Sequence, residues 1–166
     1  MRQINVMISF KAQRITHTHT ITLNDDPGKV FSLFTPEGEK KWAPGWDYKL
    51  LYPQSGKIEK NFMFLTTDHD HADEQALWII CNHKPLSYSI DYLRIESGKK
   101  VGKIEIVCDE KGEGKTFAHI TYTYTSLSEE GNKFLESFTK EYFTQYISYW
   151  EKAINYYIQT GNLISD

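Results

Sequence analysis

Residues 128–161 read SEEGNKFLESFTKEYFTQYISYWEKAINYYIQTG, and the spacing of their apolar side chains decides the fold class. Phe134, Phe138, Tyr142, Tyr146, Trp150, Ile154 and Ile158 follow one another every fourth residue, and Leu135, Phe143, Ile147 and Tyr157 widen the stripe. Lys133, Glu136, Lys140, Glu141, Gln145, Ser148, Lys152 and Asn155 occupy the other side, which faces water. Ser128 is placed to cap the start, Glu129 and Glu130 complement the positive helix end, and Gly161 suits the stop. The expectation is one amphipathic helix of about 30 residues, roughly 45 Å long. A stripe this broad and aromatic has to lie on an extended apolar surface, and the sheet read from the rest of the chain is its partner.

Upstream, Ile15, His17, His19, Ile21 and Leu23 alternate with Thr16, Thr18, Thr20 and Thr22, which is the period of a strand over 14–23. Asn24 or Asp25 then caps a short helix with Pro27 in its first turn and Val30, Phe31 and Phe34 turned inward. The Thr35-Pro36-Glu37-Gly38 break leaves at most another helical turn over 39–42 before Ala43-Pro44-Gly45. Six strands follow, at 47–52, 60–67, 75–83, 86–96, 101–109 and 115–125, separated by turn-forming residues and by an acidic loop at 68–74. Short connections between successive strands predict an antiparallel meander. The predicted order is strand, two short helices, six strands, long helix, in an α+β fold.

The 166 residues contain no linker-like stretch, so the reading is a single domain over 1–166. A net charge of −3 supplies no general attraction to nucleic acid or to an anionic membrane. The apolar run at 6–10 is interrupted by Ser9 and is too short for a signal-peptide core or a membrane span, which makes the cytoplasm the expected location. Cys81 and Cys108 stand in separate predicted strands without a Cys-x-x-Cys spacing and read as reduced core thiols. No Gly-rich phosphate loop, Gly-x-Ser-x-Gly or His-Glu-x-x-His occurs, which disfavours nucleotide enzymes and nucleophilic hydrolases.

The element order, together with Asp26-Pro27-Gly28-Lys29-Val30-Phe31, Glu39-Lys40-Lys41-Trp42-Ala43-Pro44-Gly45-Trp46, Gly114-Lys115-Thr116 and residues 122–128, resembles the START-like or Bet v 1-like superfamily. That superfamily, also called SRPBCC, includes polyketide cyclase-like and Hsp90-activator-like domains. The resemblance runs from about Arg14 to Gly161. It implies a helix-grip fold: a seven-stranded curved antiparallel sheet wrapped around a long C-terminal helix, with two short helices after strand 1 closing one end. It also implies a cavity between sheet and helix for a small hydrophobic or amphipathic molecule. No universal catalytic motif comes with it, since relatives include enzymes, carriers and protein-binding modules.

Aromatic residues make up 14% of the chain, and several fall where that cavity would lie. Tyr142, Tyr146 and Trp150 are mid-helix, while Tyr88, Tyr92, Tyr122 and Tyr124 recur at period two, placing each pair on one sheet face. Trp42 and Trp46 flank a Pro-Gly corner suited to the cavity mouth, or equally to a plug between short helices and sheet. These nine are the candidate ligand-binding residues. A solid core would more naturally use Leu, Ile and Val, which carry no hydroxyl or indole N–H to satisfy. His17 with His19, and His69 with His71, could each share a metal, but spacing supplies no third ligand and the second pair reads as a solvated acidic turn. No metal or cofactor is expected. Arg94, Glu105, His83 and His119 sit in predicted strands and mostly face water by this reading; on the face of Tyr88 and Tyr92, Arg94 would be a buried cation needing a carboxylate from Glu105 or a ligand. Ligand binding leads; a cyclase- or dehydratase-like enzyme using pocket Tyr or His and a protein-interaction module are the alternatives. A homodimer or other protein partner stays open.

Overall fold

Alternation at period two builds seven strands in the computed structural model, which describes residues 9–67 and 75–165. His69 and His71 lie outside the described residues, as does the start of the 6–10 run. The order is β1 (Arg14–Leu23), α1 (Pro27–Phe31), a 3-10 turn (Ser32–Phe34), α2 (Pro36–Glu39), β2 (Lys49–Tyr52), β3 (Met63–Thr67) and β4 (Gln75–Lys84). A second 3-10 turn (Pro85–Ser87), β5 (Ser89–Glu96), β6 (Lys100–Gly112), β7 (Lys115–Ser126), α3 (Glu129–Ser137) and α4 (Lys140–Thr160) complete it. The strands form one antiparallel sheet in the order β1-β7-β6-β5-β4-β3-β2, so β2 to β7 meander and β1 returns beside β7. None of the described helices is long and apolar enough to cross a membrane.

One expectation is corrected at the C-terminal helix, which is two helices. Phe138 leaves the helical region at ψ 65°, and Thr139 is extended and caps α4, its hydroxyl accepting from the Tyr142 N–H at 3.1 Å. The apolar stripe runs through the break without interruption, which is why periodicity alone reads one helix. The local reason for the break is Thr139: its short hydroxyl satisfies an orphan amide better at a helix start than in a helix interior. His17 Nε2 lies 2.8 Å from the Phe138 carbonyl, which can only accept, so the ring carries its proton on that nitrogen. With 21 residues, α4 is about 32 Å long.

The face of α4 that enters the core is Phe143, Ile147, Ala153 and Ile154, all fully buried, with Trp150 at its margin. Opposite them lie Ile21 and Leu23 of β1, Ala118, Ile120 and Tyr122 of β7, and Ile104 and Ile106 of β6. The helix is also tied to the free edge of β1 by polar groups. Glu151 accepts the Thr22 N–H at 2.7 Å, while Asn155 accepts the Asn24 N–H at 2.9 Å and donates to the Thr22 carbonyl at 3.0 Å. Phe143 packs against the rings of His17, Tyr122 and Phe138. Phe143→Ala should therefore lose about 3–5 kcal/mol of stability, read from urea unfolding with an unchanged m-value.

Candidate functional site

The inner sheet face and the helices leave a cavity of about 580 Å³ between them. Register explains its wall. Pairing places Phe64, Trp78, Arg94, Gly102 and Tyr124 in one row across β3, β4, β5, β6 and β7, and Tyr92, Ile104 and Tyr122 in the neighbouring row across β5, β6 and β7. The opposite wall is Phe134 and Phe138 of the α3 segment with Tyr142, Tyr146, Tyr149 and Trp150 of α4. Glu39 of α2 and residues 42–47 close the end.

Of the nine residues singled out in the sequence, Trp42, Trp46, Tyr92, Tyr122, Tyr124, Tyr142, Tyr146 and Trp150 line this cavity. Tyr88 is not part of the cavity lining. It is held in the left-handed region at φ 52°, ending the Pro85–Ser87 turn before β5 begins, and its ring packs against Phe31 at the edge of the core. The strand starts three residues later than the apolar pattern suggests. Tyr142 and Tyr146 are 53% and 41% exposed, so the aromatic stripe divides into a buried face and an open flank.

Several polar handles are already engaged by backbone. Trp42 Nε1 donates to the Leu33 carbonyl and Trp46 Nε1 to the Pro36 carbonyl, both at 2.8 Å, and the Tyr92 hydroxyl donates to the Phe34 carbonyl at 2.7 Å. Tyr92 of β5 thus ties the short helices to the sheet, while Trp42 and Trp46 tie the loop that follows α2 back onto them. Tyr122, Tyr124 and Tyr146 differ, for none donates to a backbone carbonyl. Burial pushes the Tyr122 and Tyr124 phenols up, and partial desolvation pushes up that of Tyr146, whose side chain is still open on one flank; the nearby Arg94 charge opposes the rise in each. At Tyr146, Tyr122 and Trp150 donate toward the phenol oxygen and oppose it further.

Two charged residues of the wall escaped the sequence reading as site residues. Arg94 does share the face of Tyr92, and its partner is Glu96 on the same strand face, Nη1 to Oε2 at 3.4 Å. Glu105 instead pairs with Lys103 at 3.0 Å on the outer face. The Arg94 guanidinium lies over the Trp78 ring, 5.4 Å from its centroid. Glu96 also meets the Nζ of Lys100, a residue only 2% exposed whose ammonium sits 3.7 Å from the centroid of Phe134. Burial holds the Lys100 ammonium below its ordinary range, with Glu96 opposing. Glu39 is the other missed residue: burial holds its carboxyl well above the ordinary value, which disfavours its charged form. Its signal was hidden because α2 is one turn long and carries no helical periodicity.

The described histidines lie away from the cavity lining. His17 meets the Phe138 carbonyl, His19 approaches Ser148, His83 stacks on Phe31, and His119 lies between Thr20 and Asp109. Among the described residues, no three His, Cys, Asp or Glu side chains are grouped to hold a metal ion.

No protein-family model matches the chain, and no curated protein matches it significantly in sequence. Solved structures match its shape. Norcoclaurine synthase from Thalictrum flavum superposes with a TM-score of 0.67 at 10% identity, over 90% of this chain and 88% of that one. Ara h 8.0201 gives 0.64 at 15% identity over 89% and 99%, and the Zhui aromatase/cyclase from Streptomyces sp. R1128 gives 0.63 at 10% over 93% and 100%. The architecture is the Bet v 1-like helix-grip fold. At these identities it is the fold that is shared. Another structure of the Thalictrum enzyme holds dopamine and hydroxybenzaldehyde.

Within this helix-grip fold, two substitutions probe the cavity wall. A Cβ on Gly102 would lie 2.6 Å from Tyr124 Cε1, so Gly102→Ala should push the Tyr124 ring off the sheet and cost about 1–3 kcal/mol, measured by thermal unfolding. The raised Glu39 carboxyl means that the folded state holds its proton while the unfolded state releases it above pH 4.5. Its favourable contribution is full below that value and is lost as pH climbs through the folded-state value. Glu39→Gln should therefore gain in melting temperature over the parent as pH rises from 4.5 to 8; a difference constant across that range would show that Glu39 is not desolvated.

Proposed function

We propose that this protein, acting over 1–166 as one domain, binds a small hydrophobic or amphipathic molecule in the cavity between the inner sheet face and α4. The observation that carries the reading is a 580 Å³ space walled by aromatic rings, in the size range of sites for small organic molecules. Three phenols without backbone acceptors face it from two walls. A core meant only to be filled would have no use for that chemistry, because each buried hydroxyl needs a partner. Trp42 and Trp46, anchored through their indole N–H groups, present rigid apolar surface to the cavity at the end they close. The structural likeness to Ara h 8.0201 and to the two enzymes supports a cavity-based role without naming the ligand. A cytoplasmic location accompanies this reading, with Cys81 and Cys108 as free thiols.

A second reading, a cyclase- or dehydratase-like acid–base reaction, is favoured by one observation: Glu39, whose carboxyl burial pushes up, and the Arg94 cation line the same cavity as the Tyr122 and Tyr146 phenols. In that reading Glu39 takes the proton-donor role expected of a pocket Tyr or His.

Fluorescence titration with N-phenyl-1-naphthylamine, an uncharged apolar probe, tests the binding role. Saturable one-to-one binding in the micromolar range is expected, weakened about tenfold in Tyr146→Ala while the melting temperature stays within a few degrees. Failure of the folded parent protein to bind the probe removes the proposal.

A further inference from the structure

We propose that Arg94, with the Tyr124 phenol beside it, forms an anion subsite in the sheet wall of the cavity, so that the molecule taken up is an aromatic acid. Such a ligand pairs a flat apolar body with a carboxylate or an equivalent anionic oxygen. The inference rests on the ligand-binding reading above and adds the charge of the ligand.

Charge balance on the wall comes first. Arg94 and Lys100 each bring one positive charge and Glu96 one negative charge, which leaves one cation uncompensated. Glu96 is shared unequally, for Lys100 Nζ lies closer to its Oε2 than Arg94 Nη1 does. Among the described residues Arg94 has no other ion-pair partner. The remaining candidates are turned elsewhere or sit where burial disfavours their charge. Glu105 is on the outer face with Lys103, and Asp47 stands exposed at the mouth, 3.7 Å from Lys40 Nζ. Glu39 faces the cavity, and burial pushes its carboxyl up, against the charged form.

Donor capacity gives the same answer. A guanidinium carries five N–H groups and no acceptor. Glu96 Oε2 is an ion-pair neighbour at 3.4 Å from Nη1 but not a hydrogen-bond acceptor for it, and the buried Nε–H has no acceptor at all. A cation held in aromatic surroundings with donors unmatched is costly unless an anion reaches it. One quarter of the Arg94 side chain remains accessible, and the space it borders is the cavity.

Geometry then sets the shape of the ligand. Trp78 lies under the guanidinium, 5.4 Å from it, and a guanidinium offers a planar fork that matches a carboxylate. Gly102, between Arg94 and Tyr124 in the row, has no side chain to separate them. Tyr146 and Trp150 face this row from α4 and would sandwich a flat ring system attached to the anionic group.

The test compares two probes that share a ring system and differ in one anionic group: 1-anilinonaphthalene-8-sulfonate and uncharged N-phenyl-1-naphthylamine. Both are titrated into the full chain and into Arg94→Met and Arg94→Lys, with circular dichroism confirming the fold. The expected result is an affinity ratio of about tenfold or more in favour of the sulfonate for the parent protein. It should fall to within about threefold of unity in Arg94→Met, with Arg94→Lys between the two. If both probes bind and the ratio is the same in the parent and in Arg94→Met, the anion subsite is overturned while the cavity reading stands. If the folded parent binds neither, both fall. Should Arg94→Met fail to fold, Arg94→Lys decides: a threefold drop in the ratio supports the subsite and an unchanged ratio overturns it.

Discussion

The clasp between α4 and the free edge of β1 is the contact on which the rest of the structure depends. An edge strand presents unpaired N–H and C=O groups, and here Glu151 and Asn155 satisfy those of Thr22 and Asn24 much as another strand would. This fixes the helix at one side of the sheet. The cavity lies on the sheet side beyond this anchored contact, against Trp78, Tyr92, Arg94, Ile104 and Ile106 of β4 to β6.

The opposite end of the hollow is held by a different device. Trp42, Trp46 and Tyr92 each donate to a carbonyl of the 33–36 segment, so the short helices hang from three aromatic side chains. Aromatics therefore do two jobs in this molecule. Some have their polar atom fixed by backbone and act as struts, while Tyr122, Tyr124 and Tyr146 keep theirs near the cavity. Tyr124, with Trp78 and Phe134, lies against the Arg94, Glu96 and Lys100 cluster, which puts interior charges beside aromatic faces.

The order of elements was readable because each rests on a local signal. Threonine alternation marks β1, turn residues separate the meander, and Ser128 and Gly161 bound the C-terminal helical region. The break at Phe138 and Thr139 was not readable from periodicity, because the apolar rows of α3 and α4 stay in phase across it. Tyr88 misled for the opposite reason: its spacing to Tyr92 fits a strand, yet Pro85 starts a 3-10 turn that delays β5. The cavity aromatics were visible as an excess of Tyr and Trp on facing elements. Arg94 and Glu39 were far less visible, since a lone charge in a strand or a one-turn helix usually faces water.

By itself the sequence determined the kinds of element, their succession and the amphipathic stripe that demands a sheet, because periodicity and turn chemistry act over a few residues. Only the tertiary structure decided which side of that stripe is packed and which is open. The same holds for Arg94, whose place beside Tyr124 depends on register across β5, β6 and β7 and on the missing side chain of Gly102. Burial and charge compensation are properties of neighbours distant in the chain. They come into being only when the sheet closes around the helix.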